Sequence, residues 1–154
     1  MPRKRTSSEL DRVTQPPFSC IVVDPNDGTS VCNQIQRRIR YLVAIGAMRD
    51  DERLPTVAEL AERIGCASAL VSRAYEGLKA EGVITGVVGH GSYIAVGARS
   101  DDLVRAVAST NFSPVIGTAK TLGCNRDDIE QIIAEQLEDW YPSGRGKRRN
   151  AANK

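Results

Sequence analysis

Four residues between positions 68 and 73 have side chains and spacing suited to binding nucleic acid. On the outward face of a helix they can reach base edges or phosphates: Ser68, Ala69, Ser72 and Arg73. Arg73 alone has a long charged head, which can donate two parallel hydrogen bonds to a guanine edge or bind a phosphate. The alternative is that Arg73 forms a salt bridge with Glu76 or Glu59.

A helix-turn-helix pattern positions these residues. Thr56 and Glu59 have the spacing of a capping box, and Pro55 stops any helix that arrives from upstream. The pattern predicts a short helix from about Val57 to Ile64. Gly65 then supplies the permissive backbone that a tight corner requires.

A second helix is predicted from near Ser68 to Gly82, which has the position of a helix-ending glycine. Its apolar residues recur at helical spacing and predict one buried stripe: Val71, Ala74, Tyr75 and Leu78. The opposite face then carries the four candidate residues together with Glu76 and Lys79.

The periodicity becomes extended directly after this helix. Residues 83–88 and 92–96 are mostly β-branched or aromatic, and Gly89, His90 and Gly91 lie between them, which predicts a β-hairpin. The glycines allow close approach to a sugar–phosphate wall, against which His90 can lie flat. As an isolated histidine, His90 is a poor candidate for a metal ligand or a general base. No helix follows the turn and no Walker lysine is present, so a nucleotide loop is not expected.

Arg53 and Thr56 complete the set of candidate contacts to nucleic acid. Thr56, at a helix start near a duplex, offers backbone amides to a phosphate, although capping alone also explains this residue. Arg53 belongs to the Arg-Leu-Pro segment immediately before that helix start.

Together these segments resemble the DNA-binding domain of GntR-superfamily bacterial repressors. The resemblance is carried by Arg53-Leu54-Pro55, Glu59-Leu60-Ala61, Arg73-Ala74-Tyr75, Leu78, Glu81-Gly82 and Gly89-His90-Gly91-Ser92-Tyr93-Ile94. Upstream, residues 21–25 and 31–35 resemble the start of the YtrA-type branch, with Cys32 and Asn33 in place of its usual residues. The resemblance covers about residues 18–140.

The resemblance implies an α+β, mainly helical fold: a winged helix-turn-helix DNA-binding domain followed by a short two-helix dimerisation unit. It also implies that the second helix enters the major groove of double-stranded DNA and that the wing lies along the backbone or minor groove. Many family members carry arginine at the positions of Ala58, Ser68 and Val88. This sequence has no arginine at these three positions, so more of the binding is expected from phosphate contacts, the wing and the termini.

Two elements are expected before the helix pair. Residues 18–23 predict a short strand that pairs with the wing, and a turn follows over residues 24–28. Ser30 then opens a helix that continues to about Ala44 and ends before Gly46. Three arginines on this helix form a solvated face, or contact phosphate as the alternative: Arg37, Arg38 and Arg40.

Two helices are predicted after the hairpin. Residues 100–102 cap the first, residues 125–128 cap the second, and a kink is allowed between Asn111 and Pro114. Their large apolar residues need a partner surface, for which we expect a homodimer: Leu103, Val107, Phe112, Ile116, Ile129, Ile133, Leu137 and Trp140. The alternative is that both helices fold back on the DNA-binding module.

The domain organisation follows from these elements. We expect a flexible arm over residues 1–17, the DNA-binding domain over 18–97, a helical dimerisation region over 98–141 and a basic disordered tail over 142–154. The net charge of +2 is too small to indicate nucleic acid by itself. Two basic clusters either are solvated or contact phosphates: Arg3-Lys4-Arg5 at one end, and Arg145, Lys147, Arg148, Arg149 and Lys154 at the other.

The sequence predicts neither a metal nor a cofactor. Its four cysteines are scattered without a Cys-x-x-Cys pair, and only one histidine is present to join them. The first 14 residues are charged and lack the apolar core of a secretion signal, and no stretch is long and apolar enough to cross a membrane. We therefore expect a cytoplasmic protein with reduced thiols and no membrane partner.

These observations predict a sequence-specific transcriptional regulator, a repressor that binds a palindromic operator as a homodimer. About 40 residues after the wing are too few for a large ligand-binding domain, so a buried metabolite pocket is not expected. Whether any small-molecule effector exists is left open. The alternative is a DNA-architectural or plasmid or phage maintenance protein with little sequence preference. An enzyme is not expected, since no triad, carboxylate pair, metal set or cofactor lysine is present.

Overall fold

The computed structural model describes residues 15–142. The chain forms two compact units, one ending at Ser109 and the other starting at Thr110. The predicted arm and tail fall outside the described residues, except for residues 15–17 and 142, and so do both terminal basic clusters.

The first helix, α1, spans Val31–Ala44 and begins where the sequence predicts. Ser30 is its N-cap, and the Ser30 side chain accepts a hydrogen bond from the backbone amide of Asn33. Its apolar face lies in the core: Ile35, Ile39, Leu42 and Val43. Gln34 is buried beside this face, and its side-chain amide binds the backbone of Asp24 and Thr29, which holds the loop before α1.

The helix pair also agrees with the sequence. Helix α2 spans Val57–Ile64, and both hydrogen bonds of the capping box between Thr56 and Glu59 are present. Gly65 has φ +74°, the left-handed conformation that the corner requires. Helix α3 spans Ser68–Ala80, and its predicted stripe is fully buried: Val71, Ala74, Tyr75 and Leu78.

The hairpin is formed by β1, Ile84–Val87, and β2, Gly91–Ile94, which pair antiparallel. Val87 pairs with Gly91, so residues 88–90 form the turn, and the His90 amide donates to the Val87 carbonyl. We call this hairpin the wing. The segment Asp51–Leu54 lies along the free edge of β2, through the bonds from Leu54 N to Ser92 O and from Ile94 N to Glu52 O.

The predicted strand over residues 18–23 is wrong. Phe18–Cys20 is a single 3-10 turn, and the chain continues without regular structure to Asp24. Its carbonyls are bound by side chains instead of a strand: Arg63 donates to Ser19 O and Ile21 O, and Arg38 donates to Cys20 O. The free edge of β2 is occupied by residues 51–54, so the predicted partner position is already taken.

Two helices follow the wing. Helix α4 spans Asp101–Thr121, with the Ser100 hydroxyl accepting from the Leu103 amide, and continues through Pro114. Helix α5 spans Arg126–Trp140 and begins with a capping box between Asn125 and Asp128. No residue of either helix is fully buried. Within residues 15–142, no helix is long and apolar enough to span a membrane.

Candidate nucleic-acid interface

The N-terminal half of α3 presents its predicted contact residues to solvent. Ser68, Ala69 and Arg73 are exposed and Ser72 is half-buried, because the opposite face of the helix fills the core. In the described chain Arg73 forms neither of the salt bridges that the sequence left open, and the Glu59 carboxylate instead caps α2. The Arg73 guanidinium is therefore available to an external ligand.

A buried hydrogen bond fixes the position of α3 relative to the start of α2. The Tyr75 hydroxyl donates to the Pro55 carbonyl over 2.8 Å, and Tyr75 is 2% exposed. Burial raises the pKa of Tyr75, so the hydroxyl keeps its proton and remains a donor. Since Pro55 directly precedes the N-cap Thr56, this bond joins the buried face of α3 to the start of α2 and leaves the opposite face of α3 directed outward.

Thr56 has the capping role that was considered from the sequence. Its side-chain oxygen accepts from the Glu59 amide over 3.2 Å, and its own amide donates to the Glu59 carboxylate over 2.8 Å. Its hydroxyl proton is not consumed by these bonds, and Thr56 is exposed, so the hydroxyl can still donate to a phosphate. Capping accounts for the local structure, and phosphate contact stays a prediction.

The wing tip has the open geometry expected from its glycines. Gly89 and Gly91 have φ of +76° and +111°, conformations that other residues rarely adopt, and His90 between them is exposed. The Tyr93 hydroxyl donates to the His90 carbonyl over 3.2 Å and braces the tip. Arg53 forms a β-bridge with Tyr93, and its guanidinium lies against Gly91, which places Arg53 at the wing.

Lys79 is a contact candidate that the sequence analysis left unassigned. It is exposed near the end of α3, and its ammonium nitrogen lies 3.1 Å from the point where a Cβ of Gly86 would be. The missing side chain of Gly86 thus leaves room for Lys79 to lie across β1. Its position over β1 depends on how the wing packs against α3, so helical periodicity alone places Lys79 only on the exposed face.

The three arginines of α1 have partners within the chain. Arg40 binds the Glu81 carboxylate through two nitrogens, which connects α1 to the end of α3, and Arg37 pairs with Asp27. Arg38 donates to the Cys20 carbonyl and lies over the Tyr41 ring. They stabilise contacts inside the first unit, so the described interface has its cations on α3 and the wing.

Arg63 is a structural residue that sequence reasoning missed. Its guanidinium binds two carbonyls of the segment before α1, and burial lowers the pKa of Arg63. No spacing rule connects it to residues more than 40 positions away. Among residues 15–142, no group of three or more His, Cys, Asp or Glu side chains is arranged to hold a metal ion.

The second unit contains an apolar groove between α4 and α5. It is open to solvent and has a volume of about 330 Å³. Six of the predicted dimerisation residues line it: Phe112, Ile116, Ile129, Ile133, Leu137 and Trp140. Leu103 packs instead against the core of the first unit, and Val107 is half-buried. The groove therefore starts well after the beginning of α4.

The family comparison identifies the module. Residues 32–94 match the family model "Bacterial regulatory proteins, gntR family". Residues 32–94 of this chain therefore contain a GntR-family domain. The matched residues run from the start of α1 to the end of β2, so they contain the helix pair and the wing.

Two curated relatives and one solved structure show how far the similarity extends. The chain is 36% identical over 80 residues to "HTH-type transcriptional repressor YtrA" of Bacillus subtilis, covering 52% of this chain and 62% of that protein. It is 29% identical over 119 residues to "HTH-type transcriptional regulator Rv1152" of Mycobacterium tuberculosis, covering 76% and 93%. A crystal structure of "a transcriptional regulator from Oenococcus oeni" has a TM-score of 0.55 at 25% identity, covering 75% and 97%.

These findings confirm the predicted resemblance to the GntR superfamily and its YtrA-type branch, and the mainly helical fold with a winged helix-turn-helix. The relatives are described as transcriptional regulators. The YtrA match spans less than two thirds of that relative. The assignments of individual residues to DNA or to a dimer contact remain predictions.

Proposed function

We propose that this GntR-family chain is a transcriptional repressor that binds a two-fold-symmetric operator as a homodimer. The observation that carries the DNA-binding part is the outward face of α3, which holds Arg73 without an internal ion pair in the described chain. The bond from Tyr75 to Pro55 holds the buried face of α3 against the start of α2, which keeps the opposite face outward. Arg73 then reads a base edge, while Ser68 and Ser72 bind the backbone or a neighbouring base.

The groove of the second unit supports the homodimer. Its large apolar side chains remain exposed within one chain, with Phe112 at 49%, Leu137 at 51% and Trp140 at 80%. An apolar surface of this kind is stabilised by contact with another surface, and a second copy supplies the same residues across a two-fold axis. Two linked modules then occupy two half-sites about one turn of DNA apart.

Repression follows from occupancy of a promoter site. A dimer bound across a palindrome excludes RNA polymerase from the same stretch of DNA. The relative from Bacillus subtilis is described as a repressor, which supports this direction of regulation for the present chain.

A binding titration tests sequence-specific recognition. The full chain is used to select duplexes from a random pool, and its affinity for the selected duplex is compared with that for a scrambled duplex at fixed salt. We expect a preference of about a thousandfold or more. Equal affinities would contradict the proposal and favour the second candidate, an architectural or maintenance protein. That candidate is supported by the small number of base-reading side chains, since Arg73 alone has a long charged head among the four candidate residues in the N-terminal half of α3.

A sedimentation experiment tests the homodimer separately. The full chain should sediment as a dimer at micromolar concentration, and its complex with the selected duplex should contain two copies. A monomer in both states would contradict the proposed assembly even if the DNA preference were high.

A further inference from the structure

The tip of the wing carries one apolar side chain, Val88, beside the exposed His90. Val88, the first residue of the turn, is 99% exposed, the highest value among the exposed large apolar residues of the described chain. Val87, at the end of β1, is also exposed. Single exposed apolar side chains are common on protein surfaces, so the exposure of Val88 carries weight only together with the charged groups placed beside it.

Two cations lie beside this tip, one along each strand of the hairpin. The Lys79 ammonium lies 3.1 Å from the missing Cβ position of Gly86 in β1. The Arg53 Nε lies 3.5 Å from the missing Cβ position of Gly91 in β2. Val88 therefore lies between two positively charged side chains. Lys79 occupies the space left by the absent side chain of Gly86, and Arg53 lies against Gly91.

This order of groups matches the minor groove of DNA. The groove is about 6 Å wide, its walls carry phosphates and its floor carries base edges. A hairpin tip that enters the groove meets the floor, and the flanks of the hairpin meet the walls. Building on the proposed function, we propose that Val88 contacts the floor of the minor groove and selects A·T pairs, while Lys79 and Arg53 bind phosphates on the two walls.

The selection has a direct chemical cause. In the minor groove, a G·C pair presents the guanine 2-amino group as a donor, whereas an A·T pair presents only acceptors. The valine side chain cannot accept a hydrogen bond, so Val88 would leave that donor buried without a partner. An unpaired buried donor of this kind lowers affinity about tenfold. The bond from Tyr93 to the His90 carbonyl keeps the tip in one shape during this contact.

The experiment uses inosine to separate the two grooves. Each A·T pair in the flanks of the selected operator is replaced in turn by G·C or by I·C, which lacks the 2-amino group but keeps the major-groove edge of G·C. At the pair under the wing, we expect A·T and I·C to bind alike and G·C to bind about tenfold more weakly. If G·C and I·C bind alike at every flanking pair, the inference is overturned.

Three variants assign the effect to a side chain. Val88→Asn supplies an amide oxygen that accepts from the 2-amino group, so the penalty for G·C should disappear. Val96→Asn is the matched control, because Val96 is an exposed valine beyond the end of β2, and this variant should keep the penalty. His90→Ala should also keep it. Loss of the penalty in His90→Ala but not in Val88→Asn would overturn the role of Val88.

The outcomes also distinguish this inference from the proposed function. A chain that prefers no duplex over another contradicts sequence-specific regulation and the wing assignment together. A specific complex that is indifferent to the 2-amino group overturns the wing assignment alone. Lys79→Gln tests the flanks: it should lower the slope of log affinity against log salt by about 0.9 and leave the A·T preference unchanged. An unchanged slope would remove Lys79 from the phosphate contact.

Discussion

Helices α2 and α5 begin with the same hydrogen-bonded motif, a capping box, but differ in how deeply their residues are buried. Both have a complete capping box, from Thr56 to Glu59 in the first unit and from Asn125 to Asp128 in the second. Helix α2 buries Leu60 and Ala61 in the core, whereas α5 has no fully buried residue. A local signal therefore determines where each helix begins, and burial depends on what another element supplies.

The comparison predicts two kinds of response to substitution. The first unit has its own core, so changes there should lower its stability equally at every protein concentration. The apolar groove of the second unit is not covered by any of residues 15–142, so changes there should act through association and depend on concentration. The following substitutions separate these responses.

The largest effect is expected in the core of the first unit. Leu78→Ala removes a side chain with 0% exposure and leaves a cavity, so the free energy of unfolding should fall by about 2–5 kcal/mol. Denaturant titration at two protein concentrations should give the same loss. Leu122→Ala, at a leucine that is 79% exposed after α4, is the control and should change stability by less than about 0.5 kcal/mol. Equal losses in both variants would contradict the assignment of the core.

An intermediate effect is expected in the groove. Leu137→Asp places a charge among the apolar residues that line it, and should weaken dimerisation by about 2–4 kcal/mol. Sedimentation over a range of concentrations measures the dissociation constant. Ala134→Asp introduces the same charge on α5 at an exposed residue outside the groove lining, and should leave the dimer intact. If the Leu137 variant sedimented like the parent chain, the groove would not be the dimer contact.

The smallest effect is expected at the capping boxes. Thr56→Ala removes the acceptor for the Glu59 amide and should lower the stability of the first unit by about 1 kcal/mol, while Thr56→Ser keeps the acceptor and most of the stability. Asn125→Ala should instead increase amide hydrogen exchange at the start of α5 with little change in the unfolding of the first unit. A uniform loss of stability in both units after Asn125→Ala would show that the two are more strongly coupled than the comparison implies.

Much of the module could be predicted because its signals are local. The capping box, Gly65 and the apolar stripe of α3 each lie within a few residues of the structure they determine, and the bounds of α2 agree with the sequence. The same holds for the turn of the wing, whose glycines adopt positive φ. The face of α3 that carries Arg73 follows from helical periodicity alone.

The failed and missing predictions depend on distant residues. Residues 18–23 have the composition of a strand, but Arg38 and Arg63 bind their carbonyls from 18 to 44 positions away. The positions of Arg53 and Lys79 beside the wing likewise depend on the packing of separate segments. Periodicity gives the face of an element but not its neighbour, so these contacts became visible only in the folded chain.

The affinity of Arg73→Ala for operator and scrambled duplexes tests the central claim, that the outward face of α3 reads DNA sequence. We expect a loss of about 1–3 kcal/mol on the operator and a smaller loss on the scrambled duplex, so that the specificity ratio falls. Arg126→Ala, which removes an exposed arginine from α5, should leave both affinities unchanged. A folded Arg73→Ala variant with the specificity ratio of the parent chain would contradict the account.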